Sequence, residues 1–153
     1  TLRSIIGEMP ELEWGEICIS DFYHAFRTYK SEMREWIHDL KEGESAFDND
    51  SPEKRPHRVV NGQIVENIRK NRDKYTRQPW DRFIQCVHTR NDQLAAQNTI
   101  HPEQDRVYSI RELMAMMTIP DDFRWVDMSL EELNALSNEE KLDVYKSHEM
   151  NIR

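Results

Sequence analysis

The chain has 153 residues, of which 37 % are apolar and 33 % are charged. This length corresponds to one domain with room for a core, and four Trp, five Tyr and five Phe exclude a disordered composition. No stretch approaches the roughly 18 apolar residues of a transmembrane helix, so we expect no membrane partner. Cys18 and Cys86 lie far apart and indicate a reducing compartment rather than a disulfide framework. The chain starts with Thr-Leu-Arg, without Met or an apolar leader, and we expect it to be part of a longer protein.

Charge is distributed unevenly along the chain. The formal net charge is −8, which by itself argues against a nucleic-acid partner. Residues 1–53 carry five Lys/Arg and thirteen Asp/Glu, residues 54–111 carry twelve and six, and residues 112–153 carry four and ten. The three segments therefore have net charges of −8, +6 and −6. A basic middle between acidic flanks is typical of a localised contact with a polyanion, or of a solvated surface whose charges happen to cluster.

The N-terminal third is predicted to be mainly helical. Residues 1–10 read as a short helical turn, and Glu16 to Ile19 as a short strand. Apolar residues then repeat every three or four positions from about Ser20 to Lys41, which predicts a long amphipathic helix. The apolar stripe of this helix would pack on the rest of the fold or, alternatively, bind a partner.

The middle of the chain is predicted to alternate between loop, helix and strand. Residues 43–56 are acidic and contain two prolines, which is typical of a loop. The pattern from Gln63 to about Lys74 predicts a second helix with a basic exposed side. Apolar residues near 80–89 favour a buried strand or turn, and residues 88–100 favour a polar loop that enters a short strand.

Three capping boxes mark the C-terminal third. Each consists of a serine followed three residues later by a glutamate, whose side chains can satisfy each other's free backbone amides. The pairs are Ser109 with Glu112, Ser129 with Glu132, and Ser137 with Glu140. Helices are therefore expected to begin directly after the three serines, and Pro120 is expected to end the first helix.

The sequence contains no self-contained active site. Its four glycines do not form a phosphate-binding loop, and it has no His-Glu-x-x-His or Cys-x-x-Cys pair for a metal. Cys86 and His88, with His57 or His101, do not have a diagnostic metal spacing. A nucleophile pair of Cys86 and His88 is equally weakly indicated, because nothing marks the thiol as activated. We therefore expect neither catalytic residues nor a metal in this chain.

Residues 54–90 carry ten Lys/Arg and three Asp/Glu, interleaved with aromatic and amide side chains. Lysine and arginine can bind phosphates, and arginine, asparagine and glutamine can read base edges. This composition is compatible with DNA binding, but it is not specific to it.

One stretch resembles a known family. Residues 101–123 read HPEQDRVYSIRELMAMMTIPDDF, which is similar to the ninth conserved block of cytosine-5 DNA methyltransferases. The opening TLRSIIGEMP, the segment Asn98-Thr99-Ile100 and the closing Asn151-Ile152-Arg153 are similar to other segments of that family. The block departs from the family at residues 114–117 and at Ile119. The positions that match the block are His101, Pro102, Arg106, Ser109, Arg111, Glu112, Pro120, Asp121 and Phe123.

The resemblance implies a target recognition region at about 20–97, followed by the conserved block and C-terminal helices at about 98–153. The parent enzyme would flip a cytosine out of the duplex and methylate it with S-adenosylmethionine, in a bacterial cytoplasm and in a restriction–modification setting. The catalytic Pro-Cys, the Glu-Asn-Val segment and the glycine-rich cofactor loop of the family do not occur here, so this part is expected to be inactive alone and to bind no cofactor.

Under this interpretation the partners are double-stranded DNA and the catalytic domain of the same chain. Arg106 and Arg111 would brace the recognition region, and Glu112 would cap a helix. The residues predicted to contact DNA are Lys70, Arg72, Lys74, Arg77, Arg90, Asn91 and Thr99. Two alternatives remain: a helical protein-interaction module, and a separate subunit of a split methyltransferase.

The predicted architecture is a single α+β domain. It is expected to be rich in helix, with a small irregular sheet around residues 16–19 and 80–108.

Overall fold

A computed structural model of the protein describes residues 1–69, 71 and 73–148. The α-helices in these ranges are α1 (Arg3–Ile6), α2 (Ser31–Arg34), α3 (Ile110–Met116), α4 (Leu130–Ala135) and α5 (Asn138–Ser147). The strands β1 (His57–Val60) and β2 (Gln63–Glu66) form an antiparallel pair, and Ala46–Asp48 and Pro52–Lys54 are 3-10 turns. The α+β fold class is confirmed. None of the described helices is long and apolar enough to cross a membrane.

The helix predicted from Gln63 to about Lys74 is wrong, because its first third, Gln63–Glu66, is the second strand of a hairpin. Val60 pairs with Gln63 across a two-residue turn, and both turn residues have positive φ, +50° at Asn61 and +76° at Gly62. Asn-Gly is the preferred sequence of this type I′ turn. The flanking β-branched pairs, Val59-Val60 and Ile64-Val65, favour strands rather than a helix.

The long helix predicted from Ser20 to Lys41 is also wrong. Only α2 and the turns that follow it are helical in character, and residues 21–25 are irregular. The backbone carbonyls of Tyr23 and Ala25 accept hydrogen bonds from the first amides of α3, and the carbonyl of His24 accepts one from Cys18. These long-range bonds replace the helical ones. Most of the apolar stripe is nevertheless buried, at Phe22, Trp36, Ile37 and Leu40.

The irregular sheet expected around 16–19 and 80–108 is reduced to isolated bridges. Ile17 pairs with Ala25, and Ile100 pairs with both Arg77 and Val107. The segment at 80–89, predicted to be a buried strand or turn, forms no strand: Trp80 and Asp81 lie in a turn, residues 83–88 are irregular, and Phe83 is 87 % exposed. Trp80 anchors this segment in the core, and Ile84 packs against the same cluster while remaining partly buried.

The predictions for both ends of the chain are confirmed. The turn α1 lies within residues 1–10, and α3, α4 and α5 begin directly after Ser109, Ser129 and Ser137, each with a complete capping box. The helix α3 ends at Met116, before Pro120, as expected. These signals are local, so they survive whatever the tertiary context.

The apolar core comprises three clusters. One joins the segment after α2 to residues 75–107, a second joins residues 22–23 to α3 and α4, and a third joins α1 to Trp80 and Tyr108. The hairpin lies outside all three, since both of its strands are largely exposed. It therefore projects from the body of the fold.

Candidate nucleic-acid interface

The residues of the family-like block converge on a buried ion pair. The Arg106 guanidinium donates to both oxygens of Glu112, at 2.8 and 2.7 Å, and each side chain is only 1 % exposed. Arg106 also donates to the Gln104 amide oxygen at 2.6 Å and lies over the ring of Phe26. Burial alone would raise the pKa of Glu112, but the hydrogen bonds and positive charge of Arg106 outweigh it and hold that pKa below its usual value.

A chain of hydrogen bonds leads from this pair to the N-terminal segment. The backbone amide of Glu112 donates to the Ser109 hydroxyl, and the Ser109 amide donates to the Glu112 carboxylate. The Ser109 hydroxyl lies 2.9 Å from Nδ1 of His24, and Nε2 of His24 lies 2.7 Å from the carbonyl of Pro10. Because a carbonyl only accepts, Nε2 carries the proton and Ser109 donates to Nδ1.

His101 is neutral and lies against the ion pair of Arg106 and Glu112. Its Nδ1 accepts hydrogen bonds from the amides of Glu103 and Gln104, at 3.2 and 3.0 Å, and its Nε2 is 3.6 Å from Glu112. Burial lowers the pKa of His101 to about 3; the carboxylate of Glu112 opposes this shift, and the charge of Arg106 reinforces it. A neutral ring here is a structural spacer rather than a general base, because its Nδ1 lone pair is already occupied.

Arg111 ties the block to residues far away in sequence. It donates to Asp21 at 2.5 and 3.0 Å and to the Asp121 carboxylate at 3.2 Å, with its side chain 8 % exposed. Its own backbone amide donates to the carbonyl of Tyr23. The end of the block is different in character, since Pro120, Asp121 and Phe123 are exposed at the surface.

Arg77, predicted to contact DNA, is 3 % exposed and occupied within the protein. It donates to the carbonyls of Ile37, His101 and Gln104 and to the Asp105 carboxylate, which is 2.6 Å away. A phosphate cannot reach this guanidinium in the folded chain. The assignment of Arg77 to the DNA contact is therefore corrected: it joins the segment after α2 to the family-like block.

Thr99 and Asn91 are also engaged inside the protein. Thr99 is 1 % exposed, and its hydroxyl donates to the carbonyl of Gln93 at 3.0 Å, so its assignment as a DNA contact is corrected too. Asn91 is partly exposed, but both ends of its side-chain amide bind the backbone of His88. The amide of Asn91 shapes the 88–91 turn and would have to release these bonds to read a base.

The remaining predicted contacts lie at the surface or outside the described residues. Arg90 is exposed and Lys74 is partly exposed. Lys70 and Arg72 lie outside the described residues. Within the ranges that the structure describes, four basic side chains of residues 54–90 have no carboxylate within ion-pair distance: Arg58, Lys74, Arg82 and Arg90. These four side chains are therefore available for phosphates.

Arg58 as a DNA contact and the hairpin that carries it are not predicted from the sequence. The signal for the hairpin is Asn61-Gly62 between two β-branched pairs, but the apolar spacing of residues 64–68 also fits a helix. A short apolar run fits both the period of a helix and that of a strand. Here the turn residues Asn61-Gly62 distinguish the two, because they favour a hairpin.

The described residues form neither a glycine-rich phosphate loop nor a cluster of metal-binding side chains. Gly62 is the tip of the hairpin, Gly7 follows α1, and Gly15 and Gly43 lie in separate loops, so none forms the strand–loop–helix cradle of S-adenosylmethionine. No group of three metal-binding side chains comes together in the part of the chain that the structure describes. We therefore derive no chemical step through either group.

Comparison with known proteins gives no family for the chain. No protein-family model, no curated protein and no solved structure matches it.

Proposed function

We propose that this chain is the DNA-binding target recognition portion of a cytosine-5 DNA methyltransferase. One observation carries the proposal: several residues that match the family's ninth block lie together in the buried contacts at the start of α3. Arg106 and Ser109 both bind Glu112, and Arg111 fastens the same helix to Asp21. A chance match would have no reason to concentrate its identities in one interacting set, so this arrangement supports the resemblance.

The charge distribution supports DNA as the ligand. Residues 54–111 have a net charge of +6, and the four basic side chains without a carboxylate partner lie in this segment. The acidic flanks would be repelled by phosphates, so an approaching duplex would be oriented toward the middle of the chain. Basic residues there supply affinity through phosphates, and side chains that reach the base edges supply selectivity.

The chain's own share of the reaction is binding. The family's catalytic cysteine, acid segment and glycine-rich cofactor loop are not found in this sequence, so methyl transfer would be carried out by a catalytic domain. The buried network holds the recognition region rigid beside that domain, in a bacterial cytoplasm. A rigid platform matters because base contacts need to be held within a fraction of an ångström.

The helical protein-interaction module is less well supported. It depended on the acidic flanks and on an apolar stripe along a helix at 20–41, and Phe22, Trp36, Ile37 and Leu40 of that stripe are buried in the chain's own core. A separate subunit of a split methyltransferase remains compatible with every contact described above. Reading the gene on both sides of this segment distinguishes the two arrangements, because only a fused enzyme would continue into catalytic motifs.

The proposal is tested by duplex binding. The full chain is incubated with a library of randomised duplexes, bound molecules are amplified and sequenced, and affinities for the selected and scrambled duplexes are compared. We expect a selected sequence that binds at least tenfold more tightly than the scrambled one, with an affinity that falls as salt rises. Equal binding to selected duplex, scrambled duplex and heparin would overturn the proposal.

A further inference from the structure

The hairpin β1–β2 is an exposed ribbon with an anchored base. His57 packs on the ring of Trp36 with centroids 5.3 Å apart, Arg55 pairs with Glu66, and the amide of Asn67 donates to the carbonyl of Pro56. Including this base, the four-residue strands extend for about 13 Å at roughly 3.3 Å per residue. The tight Asn-Gly turn fixes the register, so each side chain has a defined face.

Strand alternation gives the two faces of the ribbon different compositions. His57, Val59, Ile64 and Glu66 share the face whose base contacts the body of the protein. The opposite face carries Arg58, Val60, Gln63 and Val65. Val60 and Val65 are 45 % and 38 % exposed, and Arg58 and Gln63 are exposed as well. We call this second set the outer face.

The outer face combines two polar side chains with two aliphatic ones. Among the residues that the structure describes, Arg58 has no carboxylate partner and the side-chain amide of Gln63 has no hydrogen-bond partner. A two-stranded hairpin is at best marginally stable alone in water, and exposed β-branched residues on it favour a binding surface. The donors and methyl groups of the outer face are directed to the same side, whereas Val59 and Ile64, 65 % and 41 % exposed, lie on the other face.

We infer that the hairpin enters the major groove of duplex DNA and that its outer face reads the bases. The major groove, about 12 Å wide, admits a two-stranded ribbon. Arg58 matches the two acceptors of guanine, Gln63 matches the donor and acceptor of adenine, and the Val60 and Val65 methyls match the thymine methyl. This inference rests on the proposed function and names the element that would give it selectivity.

Charge complementarity favours DNA over a protein partner. Residues 54–74, which include the hairpin and its flanks, carry seven Lys/Arg and two Asp/Glu, a net charge of +5. Lys54 is paired with Asp39 and Arg69 with Asp48, so the flanks also contain basic groups whose carboxylate partners a phosphate could replace. Phosphates would therefore flank the ribbon on both strands of the groove while the outer face contacts the base edges.

The test uses the full chain, the duplex selected above and its scrambled version. Arg58→Ala and Gln63→Ala remove one reading group each and leave the turn intact. Arg124→Ala is the matched control, since Arg124 is an exposed arginine in the acidic C-terminal segment. We expect each hairpin variant to lower the ratio of selected to scrambled affinity about ten- to a hundredfold. Arg124→Ala should leave this ratio unchanged. Unchanged melting temperatures verify the fold.

Three other outcomes overturn the inference in distinguishable ways. If the wild type selects a sequence and both hairpin variants keep its ratio within twofold, the hairpin is not the reading element, and the proposed function stands. If the wild type shows no selectivity, both proposals fail. If Val65→Asp abolishes a dimer in sedimentation while selectivity is retained, the outer face binds a second copy of the chain instead of DNA.

Discussion

Arg106 and Glu112 form a two-point ion pair in which both side chains are 99 % buried, six residues apart in sequence and on opposite sides of the α3 cap. The carboxylate also accepts from the Ser109 amide, so one group both neutralises a buried arginine and caps a helix. The pair thereby fixes the direction in which α3 leaves the segment that precedes it.

Removing the charge of Glu112 should destabilise the fold. In Glu112→Gln the Arg106 cation stays buried without a counter-charge, and we expect the free energy of unfolding to fall by about 3–5 kcal/mol. Urea denaturation followed by circular dichroism measures this. Glu132→Gln and Glu140→Gln are matched controls, because they change the same capping position in α4 and α5 at exposed sites. Comparable losses in all three variants would assign the effect to capping rather than to the ion pair.

Acidification should weaken the fold well before the carboxylates of an unfolded chain are protonated. The pKa of His101 is lowered to about 3 in the folded protein, from 6.5, so the unfolded chain binds more protons between these values. Stability therefore falls as pH drops below about 6.5, by up to about 1.4 kcal/mol per pH unit. The pKa of Glu112 is also lowered, which steepens the loss below about 4.5.

His101→Asn tests the assignment of this slope. The asparagine oxygen can accept from the same two backbone amides but does not titrate, so the variant should lose the dependence between pH 6.5 and about 4.5. Denaturation midpoints at a series of pH values measure it. A slope that persists in the variant would identify a different titrating group.

Substitutions of Arg77 and Arg90 should have different effects. Arg77→Ala removes a buried partner of Asp105 and of three carbonyls, and we expect a loss of about 3–5 kcal/mol of stability. Arg90→Ala and Lys74→Ala should leave stability unchanged and reduce the salt dependence of duplex binding by about 0.9 per lost phosphate contact. Thermal melts and binding titrations at several salt concentrations measure both. An unchanged salt slope would remove Arg90 or Lys74 from the interface.

Gly62→Ala should loosen the hairpin without unfolding the protein. Gly62 has φ of +76° and nothing within 4 Å of an added methyl, so the cost is backbone strain alone, about 1–2 kcal/mol. Faster hydrogen exchange of the Arg58 and Val65 amides, which face the partner strand, with an unchanged melting temperature, is the expected result. Gly43→Ala is the control, since Gly43 has the same strain and the same free space outside the hairpin.

The predictions from local signals are confirmed, whereas the helices predicted from apolar periodicity at 20–41 and 63–74 are wrong. The three Ser-x-x-Glu boxes predicted helix starts because both partners of each hydrogen bond lie within four residues. The helix predicted from the apolar stripe at 20–41 does not form at its start, because the carbonyls of Tyr23 and Ala25 accept hydrogen bonds from amides of α3, about 85 residues away. Charge and polarity predict that Arg77 and Thr99 lie at the surface, but they do not report burial. Both side chains are buried because their hydrogen-bond acceptors lie in other segments.

The sequence by itself determined the α+β class, the three capped helices, the uneven charge and the family-like block, since each depends on composition or on neighbours along the chain. The tertiary structure alone decided which basic residues face water and which hold the core together. An arginine side chain can bind a phosphate or a buried carbonyl equally well, and only the long-range packing of other segments around Arg77 and Arg106 selects between these uses.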